Sequence, residues 1–193
     1  GSCWATVKPA AELDAILALT DMAPGCPANL ARQISLGLRG TPEGDALCEL
    51  VFIAGAVDQA AAAKARVCGA REPLLENIHQ QLIAWFKDPG FRFSVPLAKA
   101  PTAFQARLRD SLLAMPSGTT CTYGELAKQL QSAPRAIGQA LGSNSLPLIV
   151  PCHRVISAGK NRLTGFNHTS KGVMLELKAW LLAREATGLH LYA

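Results

Sequence analysis

The sequence predicts an α+β protein of two domains that divide near residue 98. Three observations support this prediction: a buried strand with helical segments in the first half, a proline-bounded linker at residues 96–101, and several short, well-punctuated helices in the second half. A length of 193 residues with 49% apolar and 17% charged residues is typical of a chain with a sizeable core. This composition excludes a disordered chain, and no apolar run reaches the roughly 18 residues that a membrane-spanning helix needs.

The first domain, residues 1–98, mixes helical and strand patterns. Apolar spacing over Glu12–Leu19 predicts a short helix, and the apolar stretch Ala46–Val57 predicts a buried strand. The alanine-rich segment Asp58–Val67 predicts a second helix. Apolar residues at helical spacing predict a third helix over Pro73–Phe86, ended by Asp88-Pro89-Gly90, and the alternation in Phe91–Val95 predicts a half-exposed strand.

The second domain, residues 99–193, is predicted to be mostly helical. Its first helix spans Phe104–Met115, and Thr122-Tyr123-Gly124-Glu125 fits a capping box at the start of the next. After a turn of about three residues, a further helix restarts at Ser132 and Pro134 and ends at Gly142. Two short helices with a tight turn suggest a helix-turn-helix motif.

The outward face of that further helix carries Arg135 and Gln139 among the small residues Ala136, Gly138 and Ala140. Small residues let a helix backbone approach a DNA groove closely, although ordinary helix-turn-helix readers use longer polar side chains. A helical hairpin packed against its neighbours would show the same small residues. The pattern alone leaves both interpretations open.

Charge is divided unevenly between the halves. Residues 1–100 carry a net charge of −1 and residues 101–193 a net charge of +6. A basic domain is typical of a protein with a polyanionic partner, because released counterions favour association. This asymmetry by itself favours nucleic acid only weakly over a solvated surface.

Cysteine usage and the chain start bear on cofactors and compartment. The six cysteines are sparse for a disulfide scaffold and lack recognisable zinc-ligand spacing, so we expect reduced thiols, no metal and no cofactor. Gly1-Ser2 looks like a remnant of an expression vector, and the following residues lack a secretory signal. We therefore expect a cytoplasmic protein, or a nuclear one if the organism is eukaryotic.

Cys152 is a candidate nucleophile. It follows the proline-bounded stretch Pro147–Pro151 and precedes His153. Because a thiol with a pKa of ~8.5 is mostly protonated at neutral pH, a nucleophilic cysteine needs a base, and His153 is a candidate. Glu185, near the end of the last helix, is a candidate for orienting the imidazole in a triad. The residues alone favour the other interpretation of Glu185, an exposed charge at a helix end.

Together these segments resemble the O6-alkylguanine-DNA alkyltransferases, also called methylated-DNA–protein-cysteine methyltransferases. The resemblance covers about residues 74–186 and is strongest over residues 116–156. It is carried by Pro151-Cys152-His153-Arg154-Val155, Thr120-Cys121-Thr122-Tyr123-Gly124-Glu125-Leu126-Ala127, Arg135-Ala136-Ile137-Gly138-Gln139-Ala140, Asn144, and Lys178-Ala179-Trp180-Leu181-Leu182-Ala183-Arg184-Glu185.

The resemblance implies a fold and a set of roles. It implies an amino-terminal ribonuclease-H-like α/β domain and a carboxyl-terminal helix-turn-helix domain of winged-helix type that carries the reactive cysteine. Its implied catalytic residues are Cys152, His153, Glu185, Tyr123 and Asn144; its implied DNA contacts are Arg135, Thr122, Ala136, Gly138, Gln139 and Arg154; and its implied pocket residues are Tyr123, Val155 and Phe166.

The implied reaction is direct-reversal DNA repair. The Cys152 thiolate would take the alkyl group of a flipped-out O6-alkylguanine, once and irreversibly, while Arg135 fills the vacated space in duplex DNA bound through the minor groove. O4-alkylthymine is a further substrate to be tested. We expect a monomer, with cooperative assembly on DNA left open.

Two departures from the family pattern and two competing functions remain. The segment Gly165–Val173 is several residues longer than the Gly-Tyr-x-Gly-Gly-Leu loop of relatives, and Tyr123 lies twelve residues before Arg135, two fewer than usual. A helix-turn-helix regulator or damage sensor would need Arg135 and Gln139 but not a reactive Cys152. A cysteine hydrolase would use Cys152 through many turnovers.

Overall fold

The computed structural model describes residues 13–55, 71–159, 163 and 172–188. The chain forms two compact units that divide between Ala98 and Lys99. Helices and strands occur in both units, so the fold is a mixture of helix and sheet. In the described part of the chain, no helix combines the length and the apolar character that crossing a bilayer requires.

The first unit is built on a three-stranded antiparallel sheet. Strand β1 (Ala15–Ala18) pairs with β2 (Ile34–Gly40), and β2 pairs with β3 (Leu47–Ala54), so the strand order is β1-β2-β3. Two one-turn helices, α1 (Leu19–Met22) and α2 (Ala28–Ala31), connect β1 to β2. The predicted strand at 46–57 is confirmed as β3.

The helix predicted over 12–19 is wrong, because residues 15–18 form strand β1, and no strand was predicted at β2. Residues 15–18 form a strand because β2 offers them a ladder of backbone hydrogen bonds, which outweighs a helical spacing this short. Strand β2 contains Gly37, which weakens its strand pattern. A Cβ atom on Gly37 would lie 2.5 Å from Leu13 Cδ1, so a larger residue at this point would require the Leu13 side chain to move. The helix predicted over 58–67 lies outside the described residues.

Helix α3 (Glu72–Lys87) confirms the helix predicted over 73–86. It buries Ile78, Leu82, Trp85 and Phe86, among others. The strand predicted over 91–95 is wrong, although the residues do alternate between half-buried and exposed. The Ser94 amide donates to Gln81 Oε1 of α3 at 2.8 Å instead of to a strand partner, so a side chain satisfies this backbone group.

The second unit contains four helices within its described residues. They are α4 (Ala103–Leu113), α5 (Tyr123–Gln129), α6 (Pro134–Gly142) and α7 (Val173–Gly188). Two short parallel strands, β4 (Cys121–Thr122) and β5 (Val155–Ile156), join the start of α5 to the segment that follows Cys152. This pairing brings residues more than thirty positions apart to one place.

Local signals set the geometry of α5 and α6. The capping box is confirmed: Thr122 Oγ1 accepts from the Glu125 amide at 3.1 Å, and Glu125 Oε2 accepts from the Thr122 amide at 2.7 Å. Helix α5 ends with Gln131 at φ +52°, and Ser132 donates its amide to the Ala127 carbonyl at 2.8 Å, as in a Schellman motif. The predicted inward positions Ile137 and Leu141 of α6 are buried.

Candidate active site

Cys152 begins a one-turn 3₁₀ helix, Cys152–Arg154, at the end of a buried turn. Asn144 spans that turn. Its Nδ2 donates to the Val150 carbonyl at 3.1 Å, and its Oδ1 accepts from the Leu146 amide at 3.1 Å. The Cys152 amide donates to the same Val150 carbonyl at 2.7 Å, so the hydrogen bonds of Asn144 are linked to the backbone of the residue that carries the thiol.

The same turn stores backbone strain. Leu148 has a φ of +73° and is buried. A non-glycine residue in this left-handed region costs about 1–2 kcal/mol, so it persists only where surrounding contacts enforce it. The two Asn144 hydrogen bonds are such contacts, because they hold the backbone two residues before and two residues after Leu148.

Glu185 of α7 is the centre of a buried polar cluster. Its Oε1 lies 2.8 Å from His153 Nε2, and both side chains are completely inaccessible to solvent. Arg154 holds the same carboxylate with two nitrogens: Nε lies 3.0 Å from Oε2, and Nη2 lies 2.8 Å from Oε1. The Gly118 amide points at Oε2 from 3.5 Å. The residues alone favoured an exposed charge at a helix end for Glu185. That interpretation is wrong, because the side chain of Glu185 is buried.

The surroundings shift the pKa values of this pair. Burial acts to raise the pKa of Glu185, but the His153 and Arg154 hydrogen bonds and charges outweigh it and hold that pKa at about 2. Burial lowers the pKa of His153, and the nearby Arg154 and Lys178 charges act in the same direction against the opposing effect of Glu185. The cluster at neutral pH therefore contains an ionised Glu185 and a neutral His153.

Lys178 is a site residue that the sequence analysis missed. It is fully buried and its Nζ donates to the Val155 carbonyl at 2.8 Å. It lies two helical turns before Glu185, so α7 holds the segment 153–155 at two points. The available signal was a charged residue at helical spacing from the apolar residues Met174 and Leu181, four residues before it and three residues after it, both of which are buried.

Arg154 corrects a prediction. It was expected to contact DNA, but only 7% of the residue is exposed. Its guanidinium binds Glu185 and also donates from Nη1 to the Met115 carbonyl at 2.6 Å. Burial of this guanidinium and its bonds to Glu185 and Met115 keep it away from the surface, so Arg154 is not placed to contact a DNA phosphate.

The other predicted DNA residues lie at the start of α5 and along α6. Arg135 and Gln139 are exposed, whereas Ala136 and Gly138 are partly covered. Tyr123 is the first residue of α5, and its ring reaches within 4.0 Å of the position that a Gly138 Cβ would take. The Thr122 hydroxyl is used within the capping box, so its hydrogen bonds serve the helix start.

Of the predicted pocket residues Val155 and Phe166, the structure describes only Val155. The side chain of Val155 is fully buried, and its carbonyl is the acceptor for Lys178. Phe166 and most of the longer loop lie outside the described residues. Within the described ranges, no three His, Cys, Asp or Glu side chains gather as metal ligands would.

Comparisons with known proteins identify relatives of this chain. The family model described as "6-O-methylguanine DNA methyltransferase, DNA binding domain" matches residues 103–187. A methylated-DNA–protein-cysteine methyltransferase of Methanosarcina mazei is 41% identical over 58% of this chain and 69% of that protein. The constitutive enzyme of that name from Bacillus subtilis is 42% identical over 57% of this chain and 65% of that protein.

A solved structure is similar to this chain over a longer stretch than those relatives are. The structure of Mycobacterium tuberculosis OGT in complex with DNA superposes with a TM-score of 0.56 and 30% identity, covering 82% of this chain and 93% of that chain. With a relative matched over more than two thirds of its length at 41% identity, the chain belongs to the methylated-DNA–protein-cysteine methyltransferase family.

Proposed function

We propose that this protein repairs DNA by transferring the alkyl group of O6-alkylguanine to Cys152, once per protein molecule. The observation that carries the proposal is the buried pair of His153 and Glu185, whose Nε2 and Oε1 atoms lie 2.8 Å apart. His153 directly follows Cys152, and the chain belongs to this family. A neutral imidazole oriented by a carboxylate is the base that a thiol nucleophile needs.

The reaction begins with loss of the thiol proton. It passes from Cys152 through a water molecule to His153, and the resulting imidazolium is stabilised by the ionised Glu185. The thiolate then attacks the alkyl carbon in line with the bond to guanine O6. A sulfur–carbon bond forms, the carbon–oxygen bond breaks, and its electron pair leaves with the guanine, which takes up a proton with Tyr123 assisting.

The product on the protein is a thioether. Releasing the alkyl group would require breaking a carbon–sulfur bond for which the thioether sulfur is a poor leaving group. Each protein molecule therefore acts once, and the amount of DNA repaired cannot exceed the amount of protein. This stoichiometry separates the proposed reaction from that of a cysteine hydrolase.

DNA engagement would use α6. Its partly covered Ala136 and Gly138 leave the helix backbone near the surface, and the exposed Arg135 sits in its first turn. We propose that α6 enters the minor groove and that Arg135 occupies the space of the rotated nucleotide. Extrusion of the base is required because a stacked guanine cannot present its alkyl group in line with a protein sulfur.

For the first unit we propose a fold only. The resemblance implies a ribonuclease-H-like domain, and the described antiparallel order β1-β2-β3 backed by helices is compatible with part of one. We propose no catalytic residue in it.

The decisive experiment is the intact mass of the protein after incubation with excess duplex DNA that contains one O6-methylguanine. We expect one added methylene unit and never more. Cys152→Ala should gain no mass while still binding the duplex. Cys121→Ala provides a matched control, because Cys121 is a half-buried thiol in the same unit, and this variant should be methylated normally.

Two outcomes would reject the proposal. An unmodified wild-type protein that still binds the duplex would favour a damage sensor or regulator. Repair of more than one equivalent of DNA without a stable adduct would favour a turnover enzyme.

A further inference from the structure

We propose that Arg154 is a positioning residue that sets the tautomer of His153, keeping a hydrogen on Nε2 and leaving Nδ1 as the nitrogen that accepts the Cys152 proton. The proposal deepens the proposed function and rests on it. It starts from the burial of Arg154, which removes that side chain from the DNA surface and leaves its position in the cluster to be explained.

Arg154 grips both oxygens of one carboxylate. Its Nε lies 3.0 Å from Glu185 Oε2 and 3.2 Å from Oε1, and its Nη2 lies 2.8 Å from Oε1. Arg154 Nη1 donates to the Met115 carbonyl at 2.6 Å, and this third contact fixes the plane of the guanidinium. A fork in this arrangement sets the rotation of the carboxylate as well as neutralising its charge.

The tautomer of His153 follows from hydrogen-bond bookkeeping. An ionised carboxylate only accepts hydrogen bonds, so the 2.8 Å contact from Glu185 Oε1 requires a hydrogen on His153 Nε2. A neutral imidazole carries one ring hydrogen, and Nδ1 then has the lone pair. The thiol proton therefore has one destination on this ring, which is Nδ1.

Loss of the Arg154 guanidinium would favour the other tautomer of His153. The Glu185 side chain is inaccessible to solvent, and burial without the Arg154 charge favours the neutral, protonated form of the carboxyl group. A protonated Glu185 could donate to Nε2, which would move the ring hydrogen to Nδ1 and leave no acceptor for the thiol proton. Other groups that act on the pair include Lys178, whose charge lowers the pKa of His153, and the Gly118 amide beside Glu185 Oε2.

The test compares Arg154→Met and Arg154→Lys with wild type. Nitrogen-15 NMR of the imidazole rings identifies the tautomer, with the His153 signals assigned from the spectrum of His153→Gln. We expect wild type to show hydrogen on Nε2 at about pH 7, and Arg154→Met to show a raised fraction of the Nδ1 tautomer. Arg154→Lys should restore part of the wild-type tautomer, because it supplies the charge without the fork.

Transfer kinetics give the second readout. Single-turnover alkyl transfer by Arg154→Met should be about 10- to 100-fold slower than wild type at about pH 7. This is a partial loss of the roughly 10²- to 10⁴-fold that general acid–base catalysis supplies, because only a fraction of the molecules change tautomer. The loss should shrink as pH rises, because Glu185 then ionises without its partner. Arg107→Met is the matched control: Arg107 is an exposed arginine of the same unit, lying over the Phe104 ring, and its loss should change neither readout.

The outcomes separate the inference from the proposed function. A wild-type protein with hydrogen on Nδ1 overturns the inference, and this measurement does not depend on a folded Arg154 variant. An Arg154→Met protein with the wild-type tautomer and a rate lowered equally at every pH also overturns it, since that pattern indicates a structural role alone. Wild type that shows the Nε2 tautomer but never alkylates Cys152 instead rejects the proposed function.

Discussion

Replacement of Glu185 by glutamine should remove a pH-dependent part of the stability of this protein. The folded protein holds the pKa of Glu185 at about 2, below its ordinary value of 4.5. Each unit of difference corresponds to about 1.4 kcal/mol, so ionised Glu185 contributes on the order of 3 kcal/mol to the free energy of unfolding.

The direction follows from which state binds the proton first. Because the pKa is lowered by folding, the unfolded chain takes up the proton at higher pH than the folded protein does. The contribution of Glu185 is therefore complete above about pH 5 and is lost as pH falls towards about 2. At neutral pH the substitution should cost about 3–5 kcal/mol, because it leaves the Arg154 charge buried without its partner.

Urea unfolding at a series of pH values measures this directly. The difference in unfolding free energy between wild type and Glu185→Gln should fall by about 3 kcal/mol between pH 6 and the lowest pH at which both fold. Glu176→Gln removes an exposed carboxylate from the same helix and should follow wild type throughout. Parallel curves for wild type and Glu185→Gln would refute the reasoning, because they would mean that Glu185 is not held as an ion.

Four further results are expected. Arg135→Ala should slow alkyl transfer from duplex DNA at least tenfold in single-turnover assays, while its unfolding free energy stays within about 0.5 kcal/mol of wild type, since Arg135 is exposed; equal rates would exclude a role in holding the rotated nucleotide. The logarithm of the DNA association constant should fall linearly with the logarithm of salt concentration, and a flat line would contradict phosphate contacts. Asn144→Ala should lower the unfolding free energy by about 1–3 kcal/mol and slow transfer, because it removes both hydrogen bonds that brace the turn before Cys152; a normal rate would show that the thiol is positioned without them. Thr122→Ala should cost about 1 kcal/mol in thermal or urea unfolding through loss of the helix cap, and no cost would mean that the capping box is not formed in solution.

Local sequence signals were sufficient for the helices of the second unit. The capping box at Thr122, proline at the start of α6 and buried residues at helical spacing each act within a few residues, so their meaning does not depend on distant parts of the chain. The same holds for α3. The first unit was harder, because a strand such as β1 exists only through its neighbour β2, whose pairing no local pattern encodes.

The chemistry of the site divides in the same way. The sequence by itself determined the nucleophile candidate, its adjacent base and, through combined motifs, the family to which the chain is similar. Only the tertiary structure decided which charges are buried together: Glu185 became the partner of His153, Arg154 moved from the DNA surface to that carboxylate, and Lys178 joined the site. The physical reason is that the energy of a charge depends on its burial and its partners, and α7 supplies both from about thirty residues away in the chain.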